Sequence, residues 1–214
     1  KKDYLIRYRP FPFWLAYANS LLINNSIDSI FVDSITQGDT YKQFYDFVFS
    51  VRPNFVFFEA TTPSIKSDLE MIKVLSKNGI KVLLGGAHAT VFADELINVD
   101  GVYAVFKGAY EKNLLNFFKK EDGGVYEYCD YDIDELPFPY RDDKIIWLYR
   151  ERTHGYTPFQ ISILTSRGCP FNCIFCQWPK VMYNKKVKFR SIESIADEVE
   201  YLVNKYGNEI FVYI

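Results

Sequence analysis

The run Ser166-Arg167-Gly168-Cys169-Pro170-Phe171-Asn172-Cys173-Ile174-Phe175-Cys176 holds three of the chain's four cysteines within eight residues, spaced Cys-x3-Cys-x2-Cys. Thiolates are soft ligands, and a short loop at this spacing can wrap three of them around one soft metal centre. Three ligands leave one coordination position open. On a four-iron, four-sulfur cluster, that position is one iron without a protein ligand, free to bind substrate or cofactor. The alternatives are a zinc site closed by Cys129 or a histidine, and inert thiols. Zinc ligands more often come as two separated pairs, and no second pair exists here. The compact triplet favours the cluster.

The elements that must position this loop are read from periodicity. Tyr4–Tyr8 reads as a short strand and Trp14–Ile23 as a helix. Ile27–Val32 reads as a second strand, ending at Asp33. Tyr41, Phe44, Tyr45, Val48 and Phe49 recur at helical spacing over Tyr41–Val51, and Pro53 closes that helix. Asn54–Glu59 is nearly all apolar, as in a strand covered on both faces. A helix over Ser64–Lys77 ends at Asn78-Gly79. Ile80–Leu84 is a fourth strand, running into Gly85-Gly86. A short helix around Ala93–Ile97 leads to a fifth strand, Gly101–Phe106, then Gly108 and a helix over Glu111–Phe118. Five strands alternating with helices make a parallel α/β sheet, and ligands bind such sheets at the carboxyl ends of the strands. Gly85, Gly86 and Gly108 lie at those ends, where they either let a ligand approach the backbone or only make tight turns.

Residues 121–159 differ. Asp and Glu crowd Glu121–Asp143, broken by Gly123-Gly124 and Pro137-Phe138-Pro139, which reads as an acidic, solvated connector. Cys129 lies in it and reads as a non-ligand. Gln160–Thr165 then forms a strand feeding the cysteine loop. Lys180, Lys185, Lys186, Lys188 and Arg190 make the next connection basic. Ser191 caps a helix whose stripe is Ile192, Ile195, Val199, Leu202 and Val203, and Glu209–Ile214 is a second strand.

Composition bounds the partners. At 214 residues and 49% hydrophobic the chain can form one large domain, or one complete domain and part of another. A net charge of −2 argues against a nucleic-acid-coating protein. No apolar run suits a membrane span and Lys1-Lys2-Asp3 opens no signal peptide. Clustered cysteines suit a reducing compartment, so the cytoplasm is expected. The abundant Tyr and Phe read as core packing.

The cysteine run, with Phe175 before its last cysteine, resembles the signature of the radical S-adenosylmethionine (radical SAM) enzymes. The resemblance implies that Cys169, Cys173 and Cys176 ligate a [4Fe-4S] cluster and that SAM chelates the remaining iron. It also implies an electron donor such as flavodoxin or ferredoxin and a small-molecule substrate. Phe13-Trp14-Leu15-Ala16-Tyr17, Asp33, Arg52-Pro53-Asn54, Gly85-Gly86-Ala87-His88-Ala89-Thr90 and Gly108-Ala109-Tyr110-Glu111 occur in an order similar to the cobalamin-binding domain of the B12-dependent branch. That similarity implies a flavodoxin-like five-stranded sheet over 1–120, a linker over 121–159, and the start of a radical SAM partial (β/α) barrel over 160–214. Barrel strands beyond Ile214 would complete it, and the chain alone would be inactive.

Cobalamin would lie against Thr61, Thr62 and Ser64, against Gly85, Gly86, Ala87 and His88, and against Gly108 and Glu111. Two departures stand out. The Asp-x-His-x-x-Gly motif that gives cobalt an axial histidine is absent, so His88 reads as a loop histidine. Ala109 and Tyr110 stand where Glu and Gly are common. The implied chemistry is reductive cleavage of SAM, followed by methyl transfer or a radical rearrangement. Two other readings remain: a radical SAM enzyme whose N-terminal domain is a B12-free partner or substrate module, and a non-enzymatic metal or cobalamin-binding module.

Overall fold

The structure, a computed structural model, describes residues 9–149, 160–207 and 211–213. Its first part runs α1 (Phe13–Asn24), α2 (Ser34–Gln37), α3 (Tyr41–Val51), β1 (Phe55–Glu59), α4 (Ile65–Lys77), β2 (Lys81–Gly85), α5 (Gly86–Val91), α6 (Ala93–Leu96), β3 (Val102–Phe106), α7 (Glu111–Phe117) and β4 (Gly124–Tyr126). Helix boundaries follow local chemistry. The Thr40 hydroxyl accepts from the Gln43 amide while the Gln43 side chain accepts from the Thr40 amide, a capping box that opens α3. Arg52 ends it in the left-handed region, at φ 55, and Pro53 cannot continue it.

The sheet is parallel, in the order β1-β2-β3-β4. Successive side chains of a strand point to opposite faces, and β2 shows the consequence. Val82 and Leu84 pack on one side with residues of α3, α4, α5 and α6. Leu83 packs on the other with α1, α7 and the connector residues Leu136, Ile145 and Ile146.

Among the described residues the sheet has four strands, three of them among the five expected. Tyr4–Tyr8 lies outside the described residues. Ile27–Val32 forms no strand: Ile27 and Phe31 pack against the α1 side of the core, and Ile30 is exposed. Its apolar residues serve side-chain packing without a ladder. The fourth strand of the described sheet is β4, within the stretch read as connector, where Ala104 pairs Gly124 and Phe106 pairs Tyr126. The segment Gly86–His88, read as loop, is the start of helix α5.

The remainder runs β5 (Gln160–Ser162), β6 (Ser166–Gly168), α8 (Trp178–Val181), β7 (Val187–Phe189), α9 (Ile192–Tyr206) and β8 (Phe211–Tyr213). β5 pairs in parallel with β8 across α9, and β6 pairs antiparallel with β7. Ile195, Val199 and Leu202 of α9 close on Ile161 and Ile163. Ile192, expected in that stripe, is instead exposed. No helix of the described residues is long and apolar enough to cross a membrane.

The acidic connector is engaged with the basic segments. Asp130 pairs with both Lys186 and Lys188, which hold its carboxyl down at about 2. Glu135 pairs with Lys112 at 2.6 Å, and Asp143 with Lys205 at 2.8 Å. Exposed pairs of this kind each contribute little. The buried one is different: Glu198 of α9 is fully enclosed between Arg141 of the connector, at 3.0 Å, and Arg190. Arg141 also donates to Ser162 O at 2.8 Å, and Arg190 to Leu164 O at 3.0 Å. Removing one partner of a buried pair strands the other charge. Glu198→Ala should therefore lower the unfolding free energy by about 3–5 kcal/mol in urea titrations, against a much smaller effect for exposed Asp143→Ala.

Candidate functional site at the cysteine loop

The sequence places a charged residue, Arg167, between an apolar strand and the first cysteine, and the fold buries it. β6 and β7 form a two-stranded ribbon, Arg167 opposite Lys188 and Gly168 opposite Val187. The loop from Cys169 to Lys186 is thus closed at its base. Gly168 sits at φ +91, and a Cβ there would lie 2.0 Å from Lys186 O, so only glycine permits the ribbon to end at Cys169.

Arg167 points inward. Its guanidinium pairs with the fully buried carboxylate of Glu111, donates to Tyr131 Oη at 3.2 Å, and lies 4.7 Å from the Tyr17 ring centre. Tyr131 in turn donates to Glu111 Oε2 at 2.8 Å. Burial works to lower the Arg167 pKa, but Glu111 beside it outweighs this and keeps it protonated. Burial, aided by Glu111, pushes the Tyr131 hydroxyl far above its usual range.

Cys169 and Cys176 are half-buried, Cys173 is exposed, and all three are free thiols. A turn links the last two, with Cys176 N donating to Cys173 O at 3.2 Å. Among the described residues no group of three or more His, Cys, Asp or Glu is drawn together closely enough to hold a metal ion. The donor set still fits one: three soft thiols on one loop, pinned at its base. A metal commonly supplies the energy that gathers its own ligands. Phe175 is 89% exposed, beside exposed Phe171 and Ile174. The loop's return, through Trp178 to Tyr183, lies on the N-terminal domain, where Trp178 stacks on Trp14 with ring centres 5.2 Å apart.

The residues expected against cobalamin do lie at or just beyond the carboxyl ends of β1, β2 and β3, each with protein neighbours. Thr61 Oγ1 is 2.8 Å from Ser64 Oγ, and Ser64 donates to Asp68 at 2.6 Å. Thr62 Oγ1 is 3.0 Å from His88 Nδ1, and the His88 ring leans on Phe92. Gly86 packs beside Glu59 and Ala60. Gly108 N donates to Thr90 Oγ1 at 2.9 Å. Ala87 packs beside Met182 and Tyr183, and Glu111 faces Arg167. Missing Cβ atoms at Gly85 and Gly108 open onto protein side chains, Phe57 and Tyr110 for the first and Tyr128 for the second. The spaces beside Gly85 and Gly108 are thus filled by protein, which does not fit a ligand approaching at those two glycines, while Thr61 and Thr62 are exposed.

Sequence reading missed Arg167, Tyr131, Glu59, Arg141 and Glu198. The available signal was charge inside apolar runs, as in Phe55-Val56-Phe57-Phe58-Glu59 and Ile163-Leu164-Thr165-Ser166-Arg167. Glu59 accepts from Tyr110 Oη at 2.9 Å. Burial raises its pKa to about 7, against the Tyr110 hydrogen bond, which lowers it. A carboxyl raised in the folded state adds stability below its ordinary value near 4.5 and loses it as pH rises through about 7. Wild type should lose up to about 3 kcal/mol of unfolding free energy between about pH 5 and about pH 8. Glu59→Gln, which keeps an acceptor for Tyr110, should lose correspondingly less. Parallel pH profiles for the two proteins would show that the half-buried Glu59 carboxyl is not raised as described.

Comparison with known proteins bears first on the part of the chain that carries the loop. Residues 163–214 match the Radical SAM superfamily. Over 92% of its length the chain is 27% identical to an uncharacterized methyltransferase of Pyrococcus horikoshii, covering 46% of that protein. Over 94% it is 26% identical to the anaerobic magnesium-protoporphyrin IX monomethyl ester cyclase of Cereibacter sphaeroides, covering 36%. The chain thus spans less than half the length of these relatives. Its fold, over 97% of the chain, is similar to 46% of the radical SAM methyltransferase TsrM from Kitasatospora setae, at a TM-score of 0.64 and 18% identity. Residues 163–214 of this α/β chain thus match the Radical SAM superfamily, in a chain similar along nearly its whole length to proteins named as a methyltransferase and a cyclase.

Proposed function

We propose that the protein is a radical SAM enzyme in which Cys169, Cys173 and Cys176 hold a [4Fe-4S] cluster and leave one iron for SAM. The observation that carries this reading is the loop itself: three free thiols in eight residues, closed at the base by a ribbon that only Gly168 permits. Held by these three thiols and reduced by a flavodoxin- or ferredoxin-type donor, such a cluster would supply the electron for reductive cleavage of SAM. The chain's own residues hold and orient. Arg167 and Glu111 fix the start of the loop. Trp14 holds its return through Trp178. Phe171, Ile174 and Phe175 offer apolar surface around the thiols, which suits a site that must exclude water.

The reaction is methyl transfer on a small organic molecule, as the names of two relatives suggest, or ring formation, as the third suggests. The cytoplasm suits a cluster held by free thiols. Of the forms with and without cobalamin, the protein side chains packed against Gly85 and Gly108 favour the second.

Anaerobic reconstitution with iron and sulfide should give a brown protein with the broad visible absorption of a thiolate-bound cluster. Cys169→Ala, Cys173→Ala and Cys176→Ala should each lose that colour and most of the iron, and Cys129→Ala should keep both. Tight zinc in place of a cluster, or colour that survives Cys173→Ala, would contradict the proposal.

A further inference from the structure

Glycines at the carboxyl ends of parallel strands have two uses, close approach of a ligand and close approach of the protein itself. Neighbouring atoms decide between them. A Cβ on Gly85 would lie 2.6 Å from Phe57 Cζ and 2.9 Å from Tyr110 Cδ1. Tyr110 stands where the cobalamin-binding pattern commonly has glycine. It is fully buried, its ring centre lies 4.7 Å from that of Phe57, and its hydroxyl donates to Glu59. A large side chain held by a ring contact and a hydrogen bond is a plug from within the sheet domain.

A second element closes the same end from outside. A Cβ on Gly108 would lie 2.5 Å from Tyr128 Cδ2 and 3.1 Å from Met182 O. Met182, 1% exposed, packs with Tyr183 and Ala109, and Ala87, Trp14, Tyr128 and Tyr131 surround them. Ala109 N donates to Met182 O at 3.0 Å, and Trp14 Nε1 donates to Tyr183 Oη at 2.8 Å. Met182 and Tyr183 lie on the return side of the cysteine loop, just after α8. The strand ends therefore receive the chain segment that leaves the loop. Ala109, at a position where the pattern commonly has glutamate, is small enough to lie under Met182.

We infer that the N-terminal sheet domain binds no cobalamin, and that its strand ends serve instead as the seat for residues 178–183, orienting the cysteine loop from its return side. The cobalamin clause stands whether or not the loop carries a cluster. The seating clause concerns loop geometry, and only its consequence for catalysis rests on the radical SAM reading.

The test uses the whole protein, incubated anaerobically with hydroxocobalamin and passed through gel filtration, with cobalt and iron measured in the same fractions. Hydrogen exchange of β2 and β3 confirms that the sample is folded. Expected is protein free of cobalt, whether or not iron is present. One equivalent of co-eluting cobalt would overturn the cobalamin clause while leaving the iron result to judge the cluster separately. For the seat, Trp14→Ala removes one ring contact and one hydrogen bond, and amide exchange over residues 178–185 should quicken by about tenfold. β2 and β3 should stay protected. Unchanged exchange over 178–185 would overturn the seating clause.

Discussion

A buried arginine paired with a buried glutamate holds the candidate site to the rest of the molecule. Arg167 lies two residues before Cys169, and Glu111 opens α7 just beyond β3, 56 residues earlier. Neither side chain reaches water, with 3% and 0% exposure. Such charges are tolerated only together, so the entry of the cysteine loop is fixed relative to the sheet. Tyr131 of the connector completes the arrangement by binding both partners. Glu198 repeats the device further on, bringing Arg141 of the connector and Arg190 before α9 around one carboxylate. A buried ion pair adds little net stability over apolar packing, and here its consequence is placement.

The two ends of the cysteine loop are therefore held by different means. Its entry depends on electrostatics at Arg167. Its return depends on apolar packing and stacking at Trp178, Met182 and Tyr183 against Trp14 and Ala109. The stretch between, carrying Cys173, Ile174 and Phe175, is solvent-facing. Thiols on a loop held at both ends suit a site whose ligands are assembled by the metal they bind.

Local pattern revealed much of this fold. Helical spacing located α1, α3, α4 and α9, and the apolar runs located β1, β2 and β3. Cysteine spacing located the loop before any fold was known. What stayed hidden depends on partners distant in the chain. β4 is three residues inside a charged stretch and becomes a strand only because β3 offers an open edge. Ile27–Val32 has a strand's composition but spends its side chains on α1. Gly85-Gly86 reads as a break, yet Gly86 begins a helix. The acidic connector looked solvated because the lysines and arginines that meet it lie far off in sequence, Lys186 and Lys188 more than 50 residues from Asp130.

The anchoring of Arg167 by Glu111 is open to a double-mutant cycle in urea, using Glu111→Gln, Arg167→Met and the pair together. Each single change leaves a buried polar or charged group without its partner, and the double change removes both at once. The account predicts that the double variant loses at least about 2 kcal/mol less than the sum of the singles. Additive losses, within about 0.5 kcal/mol, would mean that the two side chains do not hold each other and that the loop is positioned by something else.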